Sequence, residues 1–365
     1  MSKGSRQTWR STDCSTMTEN KEKIPYELSD HVLEKYFRET GERQGWLPET
    51  EANAIVAVSG GGDSVALMWL FKKFYRGRFF VFHFNHCIRG EESDLDEIFV
   101  RDLANSWKLP VYTDKTSVRD NIAKGETLEE AARRLRREAI LDMAQFISSW
   151  DAKVDRVFLG HNRDDLAETV LFNILRGSCV RGSVGITEST DYEGVKFYRP
   201  LLGLRRDFLR DVLRVRGITW RDDSTNKDTQ YTRNFIRLKL LPTIRGKINR
   251  SAVEHLATFG EDMRKIRELE DERSRDLLKL CKAESFPNLA LNRKIMRGFS
   301  NDERALVIRE AGRALGLKTL SRDRCNELAR LICKPSGFIF QWSGDMTVRG
   351  KTSQIIFERS IDNGD

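Results

Sequence analysis

No stretch of about 18 consecutive apolar residues occurs in this chain, so a membrane-spanning helix is excluded on pattern, and no hydrophobic core of a secretory signal peptide is visible. The six cysteines (Cys14, Cys87, Cys179, Cys281, Cys325 and Cys333) are scattered, without a CxxC pair or a closely spaced Cys/His group. That spacing speaks against a zinc ribbon or an iron–sulfur site and leaves free thiols in a reducing compartment as the default. No repeat of fixed period is visible, and no low-complexity tract beyond a polar start, so solenoid and array architectures are not supported. Neither the lysine-bearing GxxxxGK(S/T) phosphate loop nor the GxGxxG dinucleotide loop is found.

What is present is a chain of 365 residues, 39% hydrophobic and 32% charged, long enough for two globular domains with a sizeable core in each. Its formal charge of +8 favours an anionic partner, nucleic acid or otherwise, although a cation-rich solvated surface would give the same total. The distribution is more telling. Residues 199–250 hold 14 Lys/Arg against 5 Asp/Glu, a local balance of +9, which points to a polyanion-binding surface.

Apolar runs and helical periodicities alternate along the first two thirds. Strands are expected at 54–58, 78–85, 109–113 and 155–160, with helices after the first two and over 127–150 and 164–177. Strands alternating with helices predict an α/β fold with a doubly wound parallel sheet, whose ligand lies at the carboxyl ends of the strands. Three strand-to-helix loops carry polar residues, SGGGDS, NHCIRGEES and HNRDD, as expected of one active-site rim. After about residue 245 a long charged helix (251–283), two shorter ones (301–316 and 321–333) and a closing hairpin-like segment predict a smaller, mainly helical domain.

The loop Ser59-Gly60-Gly61-Gly62-Asp63-Ser64 lies between a buried strand and a helix. Glycines let the backbone turn tightly and present N–H groups, and the following helix adds its positive dipole end, so a phosphate fits. An ordinary glycine-rich turn would read the same from the glycines alone. The SGGxDS pattern, however, resembles the loop of the ATP pyrophosphatases, which cleave ATP between the α and β phosphates. That resemblance implies ATP and magnesium as cofactors, with Ser59, Gly60, Gly61, Gly62, Asp63 and Ser64 binding pyrophosphate and Asp63 helping to hold the metal.

Three further segments choose within that group. HNRDDLAETVLFNILRGSCVRG (161–182) resembles the HxxDDxAET…LLRGSGxxG segment of the tRNA(Ile)-lysidine synthetases. FNHCIRGEESDLDE (84–97) is similar to their (D/N)HGxR segment and acidic helix, and residues 198–242 to their RPLL…(D/E)DxSN…YxRNxIRxxLLP block. Cys87 stands where a glycine is usual, and Asn162-Arg163 replaces small or histidine residues.

The resemblance implies a ligase that adenylates the wobble cytidine of a CAU-anticodon isoleucine tRNA and joins L-lysine to it. Asp165 and Glu168, three apart on one helix face, would bind the substrate lysine, while Asp164 reads equally as a solvated helix start and His161 as an orienting residue. Glu129 and Arg133 have the spacing of a surface ion pair; the resemblance to an ExxAR motif implies instead that Arg133 reaches the active site. Arg233 and Arg237 offer guanidinium forks for phosphates of ATP or RNA, Arg233 among the catalytic candidates with Asp63, Asp165 and Arg133, Arg237 among the substrate-binding ones. Asp223, Ser224 and Asn226 read as structural turn residues.

The division expected is a polar N-terminal extension over 1–51, a catalytic domain over 52–245 and a helical tRNA-binding domain over 246–365. The rival readings are a tRNA thiolase, which shares the adenylation but commonly carries paired cysteines, and a catalytically silent tRNA-binding scaffold. No membrane association is expected, and a homodimer is compatible with the sequence. The Ser/Thr-rich, basic start, with the bacterial character of the chemistry, tilts localisation to a mitochondrion or another organelle of bacterial descent, with the cytoplasm as the alternative.

Overall fold

The computed structural model describes residues 26–47, 52–178, 180, 182–222, 231–284, 289–344 and 346–359. The turn residues Asp223, Ser224 and Asn226 and the leading segment 1–25 lie outside the described residues. The chain divides into two compact units, Met1–Arg163 with Thr187–Lys227, and Asp164–Ile186 with Asp228–Asp365.

In the first unit the order is α1 (Asp30–Gln44), β1 (Asn53–Ala57), α2 (Gly62–Phe74), β2 (Phe79–Asn85), α3 (Glu91–Ser106), β3 (Val111–Lys115), α4 (Leu128–Ser148) and β4 (Val154–Phe158). The next helix, α5 (Arg163–Leu175), leaves this unit after its first residue, and the chain returns with β5 (Ser189–Tyr192), β6 (Val195–Tyr198) and α6 (Arg206–Arg214). The sheet runs β3-β2-β1-β4-β6-β5, parallel except for the β5–β6 hairpin. Strands β1 and β2 read as continuous apolar runs because both faces are covered. On one face Leu67, Phe71, Leu209 and Leu213 pack in one core cluster; Ile55, Phe82, Ile140 and Ile147 form another. Strand order reverses between β1 and β4, so the loops after these two strands flank the ligand crevice of such a sheet.

Two expectations need correction. Residues 30–47, assigned from sequence to a polar extension ending at residue 51, belong to this core: α1 buries Leu33 and Phe37, Trp46 is 1% exposed, and the Phe37 ring lies 4.9 Å from that of Trp46 and 5.1 Å from that of Phe71. The charged outer face of α1 conceals a narrow apolar stripe. The third strand begins at Val111, not Leu109. Lys108 at φ 59° turns the chain out of α3, and Pro110 has no N–H for the ladder, although its carbonyl accepts from the Val81 amide at 2.8 Å.

The second unit begins with the rest of α5. A continuous helical stretch follows, made of α7 (Thr232–Phe235), a π turn (Ile236–Leu240) and α8 (Leu241–Lys247), then the 30-residue α9 (Ala252–Cys281). Strands β7 (Lys282–Glu284) and β8 (Ala290–Asn292) precede α10 (Arg293–Gly298), α11 (Asn301–Ala314) and α12 (Arg322–Ile332). Ser300 and Glu303 close a capping box on α11. The expected closing hairpin is part of a larger antiparallel sheet, β7-β8-β11-β10-β9, with β9 (Phe338–Ser343), β10 (Met346–Gly350) and β11 (Gln354–Arg359). Its inner face packs Phe340, Trp342, Val348 and Phe357 against Leu328, Ile332 and Ile308. Among the described residues no helix is long and apolar enough to cross a membrane.

Candidate active site

The glycine loop leaves β1 and turns at Gly60, whose φ of 93° is open to glycine and strained for other residues. Gly61 is the extended N-cap of α2 and supplies no side-chain cap to it; its own amide donates to the Ser59 hydroxyl at 3.4 Å. Ser64, 7% exposed, braces the turn: its hydroxyl donates to the Gly61 carbonyl at 2.8 Å and accepts from the Ser59 amide at 3.1 Å. The Ser59 hydroxyl, on an exposed residue, lies 3.1 Å from that of Ser64. Gly160, in the loop after β4, is glycine for want of space, since a Cβ there would sit 3.1 Å from both Cα and N of Ser64. A Cβ on Gly62 would touch the Trp220 ring at 3.4 Å.

Asp63 occupies the first turn of α2, and its Oδ2 lies 3.5 Å from Nε of Arg206, a 9%-exposed residue at the start of α6. Sequence reasoning passed over Arg206. The only signal was its place in the basic segment, at the first position of a strongly amphipathic helix. The loop end of the unit is therefore a tight glycine turn at a helix start with one carboxylate and one largely buried guanidinium beside it.

Around this loop, the His83 ring Nδ1 meets the Val58 carbonyl at 2.9 Å, and burial, the largest influence, lowers the pKa of this 3%-exposed imidazole. After β2, the Asn85 side-chain amide donates to Asp94 at 2.9 Å and to Glu97 at 3.1 Å. Cys87 adopts φ 51°, which explains physically why a glycine sits easily at that position. Arg133 lies on the exposed side of α4 and pairs with Glu129 at 2.6 Å, the ion pair its spacing suggests. Its charge also reaches Arg199, a buried residue at the end of β6 that sequence reasoning did not single out. Desolvation, and then the Arg133 charge, hold the Arg199 guanidinium below the usual arginine range, opposed by Tyr192.

In the second unit Glu168 is 2% exposed on α5, with Arg233 Nε at 3.9 Å and Arg237 Nε at 3.8 Å. Arg233 Nη2 also donates to the Thr169 hydroxyl at 3.4 Å, and that hydroxyl donates to the Asp165 carbonyl at 2.8 Å. Arg237 stands in the π turn, a form enriched where helices serve a site. The structure thus brings Glu168, Arg233 and Arg237 into one cluster. Asp165 is half-buried, and Asp164, read as a solvated helix start, is 8% exposed instead.

Comparison with known proteins places these residues in a family. The PP-loop domain family matches residues 30–244. A tRNA(Ile)-lysidine synthase from Chlorobaculum tepidum is 32% identical over 310 residues, covering 83% of this chain and 90% of that protein. The chain belongs to the tRNA(Ile)-lysidine synthase family. A second such synthase, from Symbiobacterium thermophilum, is 37% identical over 247 residues, 67% of this chain, and this match spans half the length of that relative. Among solved structures, a U34-tRNA thiolase from Methanococcus maripaludis superposes with a TM-score of 0.51 at 15% identity, over 64% of this chain and 78% of that one, which shows a shared fold. The PP-loop match extends back to residue 30 and so takes in α1.

Proposed function

We propose that this chain is a tRNA(Ile)-lysidine synthase that uses ATP and magnesium to join L-lysine to the wobble cytidine of a CAU-anticodon isoleucine tRNA. In the first step the cytidine O2 attacks the α-phosphate of ATP and pyrophosphate leaves. In the second the lysine amine attacks C2, loses a proton, and AMP departs with the oxygen. The observation that carries this reading is the glycine loop at the head of α2, with the Asp63–Arg206 pair beside it, in a chain of this family.

The loop amides of Gly61 to Ser64 would receive the pyrophosphate portion, with Ser59 offering an exposed hydroxyl and Ser64 holding the turn. Among the described residues no group of three or more His, Cys, Asp or Glu side chains could hold a metal ion. A single carboxylate suits magnesium that arrives largely coordinated by phosphate and water, so Asp63 fits the ion. The ion's contribution is to neutralise charge on the phosphates. Arg206 adds a guanidinium beside the same carboxylate, and Arg133 is assigned to a phosphate of nucleotide or RNA, for which it must exchange Glu129.

In the second unit we assign Asp165 to the substrate lysine ammonium and to acceptance of its proton. Glu168, whose charge is matched by Arg233 and Arg237, orients that helix face and completes the lysine-binding carboxylates. Arg233 and Arg237 then serve both as counter-ions and as guanidinium donors toward phosphate.

The test is incubation of the purified protein with ATP, magnesium, labelled lysine and an unmodified CAU-anticodon isoleucine tRNA. ATP-dependent label in the RNA that is lost in Asp63→Ala supports the reading. Pyrophosphate release with that RNA but without label would reject lysine as the nucleophile, and neither signal would reject the reading altogether.

A further inference from the structure

We propose that Asp96 is a positioning residue for the glycine loop, tying it through Arg221 to the loop that follows β2. Asp96 lies on α3 and is 7% exposed. Each of its carboxylate oxygens accepts from a different guanidinium: Oδ1 from Nε of Arg221, Oδ2 from Nη2 of Arg89. Two charge-assisted bonds on a carboxylate this enclosed fix both partners more firmly than exposed ion pairs would.

Arg221 and its neighbour hold the glycine loop directly. The Arg221 amide donates to the Gly60 carbonyl at 3.0 Å, and Trp220 presents its ring to Gly62. Gly60 is the residue at φ 93° on which the turn depends. Helix α3 closes the other side of that turn, because a Cβ on Gly60 would lie 3.5 Å from Val100, 3.6 Å from Phe99 and 3.9 Å from the Asp96 carbonyl. The backbone of Asp96 therefore borders Gly60 while its side chain grips the residue bonded to Gly60.

The second tie reaches the loop after β2. Arg89 donates its amide to the Ser93 hydroxyl at 3.2 Å and pairs with Glu92 at 3.4 Å in addition to Asp96. One carboxylate thus joins two loops that leave the carboxyl ends of adjacent strands, β1 and β2, and a displacement of either is felt by the other. None of these three side chains needs to touch the nucleotide, so their effect is on the geometry of the loop that does.

This inference rests on reading the glycine loop as an ATP site. The experiment is equilibrium ATP binding to the full chain, with steady-state KM values for ATP and lysine, in Asp96→Asn, Arg221→Ala, Arg221→Lys and the double variant Asp96→Asn/Arg221→Ala. The expected result is an ATP Kd raised about tenfold in Asp96→Asn and Arg221→Ala, partly restored in Arg221→Lys, with the double variant no worse than either single one. The lysine KM stays within about twofold, which a distortion spread over the whole active site would not allow. An unchanged ATP Kd in folded Asp96→Asn, or fully additive single effects, would overturn the clamp. Should Asp96→Asn fail to fold, an unchanged ATP Kd in Arg221→Ala, whose side chain is 36% exposed, overturns it equally. A parent protein that binds no ATP would sink the nucleotide reading itself, and the clamp with it.

Discussion

The guanidinium Nε of Arg206 lies 3.5 Å from the Oδ2 of Asp63, so the acidic residue of the glycine loop faces a largely buried cation at the start of another helix. A carboxylate that must also serve a magnesium–nucleotide complex is held in place by this contact, and the same guanidinium is on hand for phosphate. Arg206→Ala is expected to lower kcat/KM for ATP about 100-fold, equivalent to about 2.7 kcal/mol. Arg206→Lys keeps the charge but loses the planar fork, and falls between. Measurement of AMP release against ATP concentration decides it; an Arg206→Ala protein within threefold of the parent would remove Arg206 from the site.

Gly160 gives a steric test of the same loop. Its added methyl would meet the backbone of Ser64 at 3.1 Å, and the backbone carbonyl carbon of Asp63 at 3.3 Å. Backbone yields less readily than a side-chain tip, so Gly160→Ala must displace the first turn of α2, at a cost of roughly 1–3 kcal/mol. The variant should fold, unfold at lower urea concentration, and show an ATP KM raised about tenfold with an unaltered lysine KM. Equal losses for both substrates would contradict the local account.

The extent to which sequence foretold this arrangement follows from the range of each signal. AIVAV and RFFVFHFN betray buried parallel strands because both faces are apolar, and three consecutive glycines before a helix betray the loop. Helix α1 is hidden because Leu33 and Phe37 are dispersed among ten charged or polar neighbours that dominate composition, although both belong to the core cluster and the Phe37 ring packs on that of Phe71, a long-range contact. Arg206 was one arginine among many in a basic segment, and nothing local marks it as the partner of Asp63. The approach of Arg233 and Arg237 to Glu168 spans more than 60 residues, and the π turn that carries Arg237 has no periodicity distinguishable from an α-helix over five residues.

His83 makes stability depend on pH. Its folded pKa is lowered below the ordinary 6.5, mainly by burial. As the pH falls below about 6.5 the unfolded imidazole takes a proton that the folded one refuses, so stability falls with pH until the folded pKa is reached. Replacing the imidazole in His83→Gln should flatten the unfolding free energy between pH 6.5 and the folded pKa relative to the parent. The comparison of slopes in urea titrations, rather than of absolute stabilities, isolates this residue from the loss of the Val58 contact. Identical slopes in the two proteins would refute it.

In the second unit Arg293 is completely buried and donates to the carbonyls of Ile332, Leu331, Lys334, Ser336 and Lys351. It gathers the end of α12, the approach to β9 and the turn before β11 into one fixed junction. Arg293→Met leaves these carbonyls without their donor and should destabilise the protein by at least about 3 kcal/mol. ATP affinity, a property of the glycine loop in the first unit, should stay within about twofold. Urea unfolding and ATP binding on the same preparation test both halves, and a stability loss under about 1 kcal/mol would show that water replaces the guanidinium without penalty.

Glu168 and the two arginines near it offer a coupling measurement. With the carboxylate 2% exposed and Arg233 and Arg237 at 3.9 Å and 3.8 Å, Glu168→Gln leaves two guanidiniums facing a neutral amide. Lysine-dependent turnover should fall about 100-fold while ATP binding, assigned to the other unit, holds. Because the three side chains act as a group, adding Arg237→Gln to Glu168→Gln should cost far less than Arg237→Gln costs in the parent. Additive losses would mean that Arg237 works independently of Glu168, as a phosphate contact alone, and the carboxylate would then have to be assigned to lysine without its arginine partners.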